Sequence, residues 1–186
     1  MNVQLPVQMD KSAFLAWVQG REERYELVEG RVIMMVGASR AHGLIVTNLV
    51  VLLRRELDSQ RWEIIPDFGL DAGPDTLRYP DIVVDRVGGD SGDYTAAAPA
   101  LLIEVLSPST ELFDLRDKAA EYLKLPSLRA YLVVAQTERK ATVWVRGPEG
   151  FPPSPTVIVE QDAAIQVATL GLNLSLSEIY KGVRFS

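Results

Sequence analysis

The segment Ala100-Leu101-Leu102-Ile103-Glu104-Val105-Leu106 does most to limit what this chain can fold into. A short, almost unbroken apolar run reads as a strand covered on both faces, as at the centre of a sheet in α/β proteins. Such a strand needs layers above and below it, and the chain alternates strand-like with helix-like patterns along its length. The expected fold is therefore α/β. Glu104 interrupts the run. A buried, unpaired carboxylate costs several kcal/mol or becomes protonated, so Glu104 requires a partner or a metal ion. Strand alternation puts Leu102, Glu104 and Leu106 on one face and Leu101, Ile103 and Val105 on the other.

The flanking patterns fill in the layers. Asp10-Lys11-Ser12 followed by Ala13, Phe14, Ala16, Trp17 and Val18 predicts an N-terminal helix with a polar cap, stopped by Gly20. Residues 25–36 predict a β-hairpin turning at Glu29-Gly30. From Ser39 to about Asp58, Leu44, Ile45, Leu49, Leu52 and Leu53 recur at helical spacing, with His42 in the first turn. Residues 62–68 and 79–85 are candidate strands joined by a Gly/Pro/Asp-rich stretch at 69–77. The Gly-rich segment 86–99 reads as a mobile loop, either a candidate lid or plain disorder. Pro108-Ser109-Thr110 predicts the cap of a helix running to about Leu125. Strands are expected at 128–135, 141–146, 156–160 and 163–169, a Pro/Gly loop at 147–155, and a short terminal helix at 177–180.

At 186 residues and 20.6 kDa the chain fits one domain spanning 1–186. With 0 Cys there is no disulfide framework, thiolate zinc site or thiol nucleophile. The opening residues lack the basic stretch and apolar run of a secretory signal, and no uncharged segment approaches a membrane span, so a cytoplasmic protein without membrane contact is expected. A net charge of −6 argues against broad, non-specific nucleic-acid binding, although carboxylates become attractive to phosphate once they hold a cation.

Asp81 is the natural companion of Glu104. It follows Pro80 and opens the apolar run Ile82-Val83-Val84, so it belongs at a strand end. If the two strands are neighbours the carboxylates converge, and oxygen ligands of this kind suit Mg²⁺ or Mn²⁺. Asp114, Lys118 and Tyr122 stand four apart and share a helix face, which makes Lys118 a candidate cation for the same site. Glu26, Glu29 and His42 are candidate further ligands or proton-transfer groups.

Taken in order, Tyr25-Glu26-Leu27-Val28-Glu29-Gly30, His42, Pro80-Asp81, Ile103-Glu104-Val105-Leu106-Ser107-Pro108-Ser109 and Lys118 with Tyr122 resemble the Uma2-type family of restriction endonucleases, part of the PD-(D/E)XK nuclease superfamily. The similarity runs from about residue 10 to the end, where Leu170-Gly171-Leu172 and residues 176–180 fit the family's closing pattern. The resemblance implies a restriction-endonuclease-like mixed sheet flanked by helices and a metal-dependent endonuclease acting on DNA. It also implies Asp81 and Glu104 as Mg²⁺ or Mn²⁺ ligands, Glu26 as a further acidic group and Lys118 as the catalytic lysine. One departure is informative. The superfamily lysine stands two residues after the Glu, where this chain has Leu106, so the role passes to Lys118.

Each residue also has a plainer reading. Asp81 alone could be a strand-end turn residue, Glu104 half of an ion pair with an Arg, Lys118 with Asp114 a solvated helix pair, and His42 an ordinary first-turn histidine. A competing function is a catalytically inactive nuclease fold serving as a nucleic-acid-binding or dimerisation module. A serine hydrolase lacks a nucleophile elbow here, and P-loop chemistry lacks its Gly-rich loop. The apolar and aromatic C-terminal strands predict a homodimer.

Overall fold

A computed structural model describes residues 3–35, 37–106, 111–160 and 162–185. The chain begins with β1 (Val3–Gln8), α1 (Lys11–Val18), the hairpin β2 (Tyr25–Val28) and β3 (Arg31–Met34), and α2 (Arg40–Glu56). There follow β4 (Trp62–Pro66), β5 (Leu70–Gly73), β6 (Thr76–Arg78), β7 (Ile82–Arg86) and β8 (Leu101–Leu106). After α3 (Glu111–Tyr122) come β9 (Ala130–Ala135), β10 (Ala141–Val145), β11 (Thr156–Ile158), β12 (Ala164–Val167), a 3₁₀ turn (Ala168–Leu170), β13 (Leu172–Ser175) and α4 (Leu176–Ile179).

The central sheet has six strands in the order β11-β10-β9-β8-β7-β4. It is mixed because α3 carries the chain from β8 back to a parallel β9, whereas the other pairings are antiparallel. β8 lies inside the sheet with every residue buried, as its apolar run predicts. Its two faces are unlike. Leu101, Ile103 and Val105 join Ile45, Leu49 and Leu53 of α2 and Ile179 and Tyr180 near the C-terminus in one aliphatic cluster. Leu102 and Leu106 pack on the other side with Tyr122 and Ala119 of α3 and with Tyr131, Val133 and Trp144.

A five-stranded sheet, β1-β3-β2-β6-β5, stands beside the first, with a core of Phe14, Tyr25, Leu27, Val32 and Leu77. Three of its strands differ from the sequence reading. β1 was not anticipated in the polar opening, and β5 with β6 replaces the linker expected at 69–77. β5 and β6 are short and pair with each other across a bulge, so each has too few residues to show a two-residue period. β13 was also unanticipated, and the strand expected at 163–169 ends at Val167 where the 3₁₀ turn begins.

The hairpin turn takes positive φ at both central residues, 50° at Glu29 and 76° at Gly30, the twist that matches two antiparallel strands. Segment 86–99 is tied down in its second half. Asp85 accepts from the amides of Ala97 (2.8 Å) and Ala98 (2.9 Å), and Ala96 donates to the Gly69 carbonyl at 2.9 Å. Gly69 is required there, because a Cβ would stand 2.1 Å from the Tyr94 carbonyl oxygen. The helix cap expected at 108–110, Val36 at the end of the hairpin, and the side chain of Asp114 lie outside the described residues.

Candidate functional site

Polar side chains gather where β7 begins and β8 nears its end. β7 and β8 pair antiparallel with Ile82 opposite Ile103, so Asp81 and Glu104 lie at the same end of adjacent strands. Asp81 is fixed on both oxygens. One meets Nε2 of His42 at 3.0 Å, and the other accepts from the backbone amide of Val105 at 2.6 Å. His42 reaches it from the first turn of α2, where Ser39 caps the helix and accepts from the His42 amide.

Glu104 sits on the α3 side. Its Oε1 accepts from Lys118 Nζ at 2.9 Å and from the Tyr122 hydroxyl at 3.1 Å. Lys118 and Tyr122 stand one helical turn apart on α3, which lets both reach one carboxylate. Oε2 of Glu104 has no hydrogen bond among the described residues. Lys118 comes to Glu104 across the face where Leu106 packs, so the ammonium meets the carboxylate from the helix instead of from the strand.

Glu26, on β2, is held by cations. Arg78 Nη1 donates to its Oε2 at 3.2 Å, Lys118 lies 3.7 Å from its Oε1, and the Tyr79 amide donates to Oε1 at 3.2 Å. Arg78 in turn grips Glu121 with two parallel bonds of 2.8 and 2.7 Å. The result is a chain of alternating charge, Glu121–Arg78–Glu26–Lys118–Glu104, in which Arg78, Glu26, Lys118 and Glu104 are all buried.

Burial shapes the acid–base properties of this cluster. Loss of water pushes the Glu104 carboxyl up to about 7; Lys118 pulls it back, while Asp81 and Glu26 push it further up. Burial and the Glu104 charge hold the Tyr122 phenol well above its ordinary range, so it stays a donor. Burial alone would lower His42, but the hydrogen bond and charge of Asp81 outweigh it, and the imidazole is raised.

Sequence reasoning singled out Asp81, Glu104, Lys118, Glu26 and His42, and the structure brings all of them into this one region. Glu29 lies apart from this network, exposed at the hairpin turn, where its amide donates to Thr76 Oγ1 at 3.1 Å. Arg78 and Glu121 were missed. Arg78 lies in the stretch taken for a linker, and the pairing of residues 43 apart leaves no local pattern to read.

Carboxylates are the donors that hard divalent cations prefer, and Mg²⁺ commonly takes one or two of them with water completing the shell. Asp81 and Oε2 of Glu104, which has no hydrogen bond among the described residues, fit that requirement. Glu26 is committed to Arg78 and Lys118 in this arrangement. Among the described residues no group of three or more His, Asp or Glu side chains is gathered as a full protein cage.

The family model described as "Putative restriction endonuclease", Uma2, matches residues 12–177, and the chain belongs to that family. Two Synechocystis proteins, both named as uncharacterised, are similar to it. One, slr1290, is 29% identical over 182 residues, covering 92% of this chain and 91% of its own. The other, sll1609, is 33% identical over 119 residues, covering 61% and 67%. A crystal structure from Anabaena variabilis, described as a putative nuclease of the DUF820 group, superposes with a TM-score of 0.77 at 20% identity. It covers 95% of this chain and 99% of that one, and it shows that the fold is shared.

Proposed function

We propose that this protein is a Mg²⁺- or Mn²⁺-dependent endonuclease that hydrolyses DNA phosphodiester bonds, with Asp81 and Glu104 as the metal-holding pair. The convergence of these two buried carboxylates at one strand end, with a buried lysine bonded to one of them, carries the reading. A divalent ion held there would supply Lewis-acid polarisation of the phosphate and a more acidic water. The remaining roles fall to the chain. The Val105 amide and His42 orient Asp81, and Tyr122 fixes one oxygen of Glu104. Lys118 offers a positive charge against the phosphate oxygens as negative charge builds on them. Glu26 acts chiefly by holding Lys118 and Arg78 in place.

The test is Mn²⁺ calorimetry on the wild type and on Glu104→Gln, followed by plasmid cleavage with both. Binding and cleavage that are present in the wild type and lost in the variant support the reading. A folded wild type that takes up no Mn²⁺ sinks it.

A second reading, a catalytically inactive nuclease fold that binds nucleic acid or dimerises, has one observation in its favour. Lys118 is already neutralised by Glu104 and Glu26, and Leu106 occupies the usual lysine position. Tight duplex binding with no metal-dependent cleavage would select it. A homodimer would have the edge strand β11 available, where Val157 and neighbouring Val159 are 53% and 58% exposed. Light scattering at the mass of one chain rejects the dimer. No helix among the described residues is long and apolar enough to cross a membrane.

A further inference from the structure

The opposite end of the central sheet has its own organisation. Trp62 opens β4 and pairs with Arg86, which closes β7. Next across the sheet, Arg129 donates its amide to the Ala100 carbonyl just before β8, and Arg146 donates its amide to the Arg129 carbonyl beyond β10. Three arginines thus line one rim of the sheet, at the other end of β7 from Asp81. At the usual rise of a strand that is roughly 16 Å from the carboxylate pair.

Among the described residues these arginines have no acidic partner, and ring and carbonyl contacts hold them in place. The guanidinium carbons of Arg86 and Arg129 lie over the Trp62 ring, 5.4 and 5.2 Å from its centroid. Arg129 Nη1 donates to the Thr169 carbonyl at 2.7 Å. Arg146 donates from Nε and Nη2 to the Leu128 and Leu125 carbonyls, each at 2.7 Å, and lies 4.4 Å from the Phe151 ring centroid. None of the three forms an ion pair among the described residues. The nearest acid in sequence, Asp85, turns its carboxylate to the amides of Arg86, Ala97 and Ala98.

A cavity of about 320 Å³ opens between these groups, lined by Trp62, Arg86, Ser127, Arg129 and Arg146. A second, of about 520 Å³, shares Arg129 and Arg146 and continues past Gly147 and Thr169. In a chain of net charge −6, gathering three uncompensated guanidinium groups around a cleft costs electrostatic energy that an oxyanion would relieve. Guanidinium groups suit phosphate recognition, and Arg86, whose side chain makes no hydrogen bond among the described residues, together with the N–H groups that Arg129 and Arg146 do not spend on carbonyls, can donate to one.

We infer that the Arg86–Arg129–Arg146 cleft is a phosphate-binding site, separate from the carboxylate cluster and functional whether or not that cluster cleaves DNA. Its ligand carries a phosphate group, either a free anion or the backbone of a nucleic acid bound at this pole of the sheet.

The experiment compares the wild type with the Arg86→Ala, Arg129→Gln double variant in EDTA, so that no metal contributes. Inorganic phosphate is titrated by calorimetry, and a fluorescein-labelled DNA duplex by anisotropy over a salt series. Loss of two charge-assisted contacts should weaken the responding ligand about tenfold or more. If the duplex responds, the salt slope should also fall by about two, which assigns the backbone as the source. If phosphate alone responds, the ligand is a free anion. Should the double variant fail to fold, Arg86→Ala alone serves, since that side chain is exposed and forms no hydrogen bond among the described residues. Affinities for both probes that stay within twofold of the wild type, in a folded variant, overturn the site. Because no cleavage is read, failure of the nuclease reading leaves this result intact.

Discussion

β8 has two faces made by alternate residues of one strand, and they solve opposite problems. Toward α2, Ile103 and Val105 enter an aliphatic cluster reinforced by α4 and β13. Toward α3, Glu104 enters a buried charge network with Lys118, Glu26, Arg78 and Glu121. An aliphatic face gains stability with every Å² it removes from water. A buried ion network gains little net stability, because desolvation offsets most of the attraction. The α3 face therefore makes sense as a place where charge is prepared, and the α2 face as the support that lets the sheet carry it.

The sharpest way to break that contrast is to change the charge without changing the shape. Asp81→Asn and Glu104→Gln keep size and hydrogen-bonding reach but remove the anionic oxygens. Cleavage of plasmid DNA should fall below detection in either variant, while thermal melting shows an intact fold. Full cleavage by Asp81→Asn would place the chemistry elsewhere.

Next in size is the removal of a shared cation. Arg78 stands between Glu26 and Glu121, and its side chain is only 7% exposed. Arg78→Ala leaves one deeply buried carboxylate short of a partner, and breaking such a network costs about 3–5 kcal/mol. Urea denaturation measures it. Ile103→Ala on the other face should cost about 2–5 kcal/mol, since a fully buried Ile leaves a cavity between β8 and α2. The two variants separate by function, because Ile103→Ala should keep Mn²⁺ binding and Arg78→Ala should weaken it through Lys118 and Glu26. Equal loss of metal binding in both would dissolve the distinction between the faces.

This contrast was only partly visible in the sequence. The buried strand and its odd Glu104 were legible because a carboxylate inside an apolar run violates the local pattern. Helix α2 was legible because Ile45, Leu49, Leu52 and Leu53 keep helical spacing, and these are its buried residues. Helical spacing made Lys118 a candidate cation and the hairpin offered Glu26, but only the family resemblance lifted them above the plainer readings. The second sheet was not legible, since β5 and β6 are too short for periodicity and β1 reads as mixed polar sequence. Arg78 and Glu121 escaped for a related reason. Ion pairs between distant elements follow from packing, and nothing within a few residues of either group announces the other.

The smallest effect tests whether the aliphatic face tolerates a polar group on different terms. Tyr180 donates from its hydroxyl to the Ala135 carbonyl at 2.7 Å, and the Lys140 amide donates to that hydroxyl at 3.1 Å. It thereby fastens the end of α4 to the β9–β10 connection with a neutral group in place of an ion pair. Tyr180→Phe should cost about 1–3 kcal/mol at pH 8, the penalty for leaving buried partners unsatisfied. The pH dependence has a definite sign. Burial is the main cause that pushes the Tyr180 phenol up to about 12, above its ordinary value of 10. Below pH 10 the phenol is protonated in both states and its full contribution is present. As the pH rises from 10 towards 12 the unfolded chain ionises first, so stability from this residue is lost across that window. The gap between wild type and Tyr180→Phe should accordingly narrow from pH 8 to pH 11 in urea titrations. A gap that widens instead would mean that the folded protein stabilises the phenolate. Tyr180 would then belong with the charged groups of the α3 face, despite its place among the aliphatic side chains.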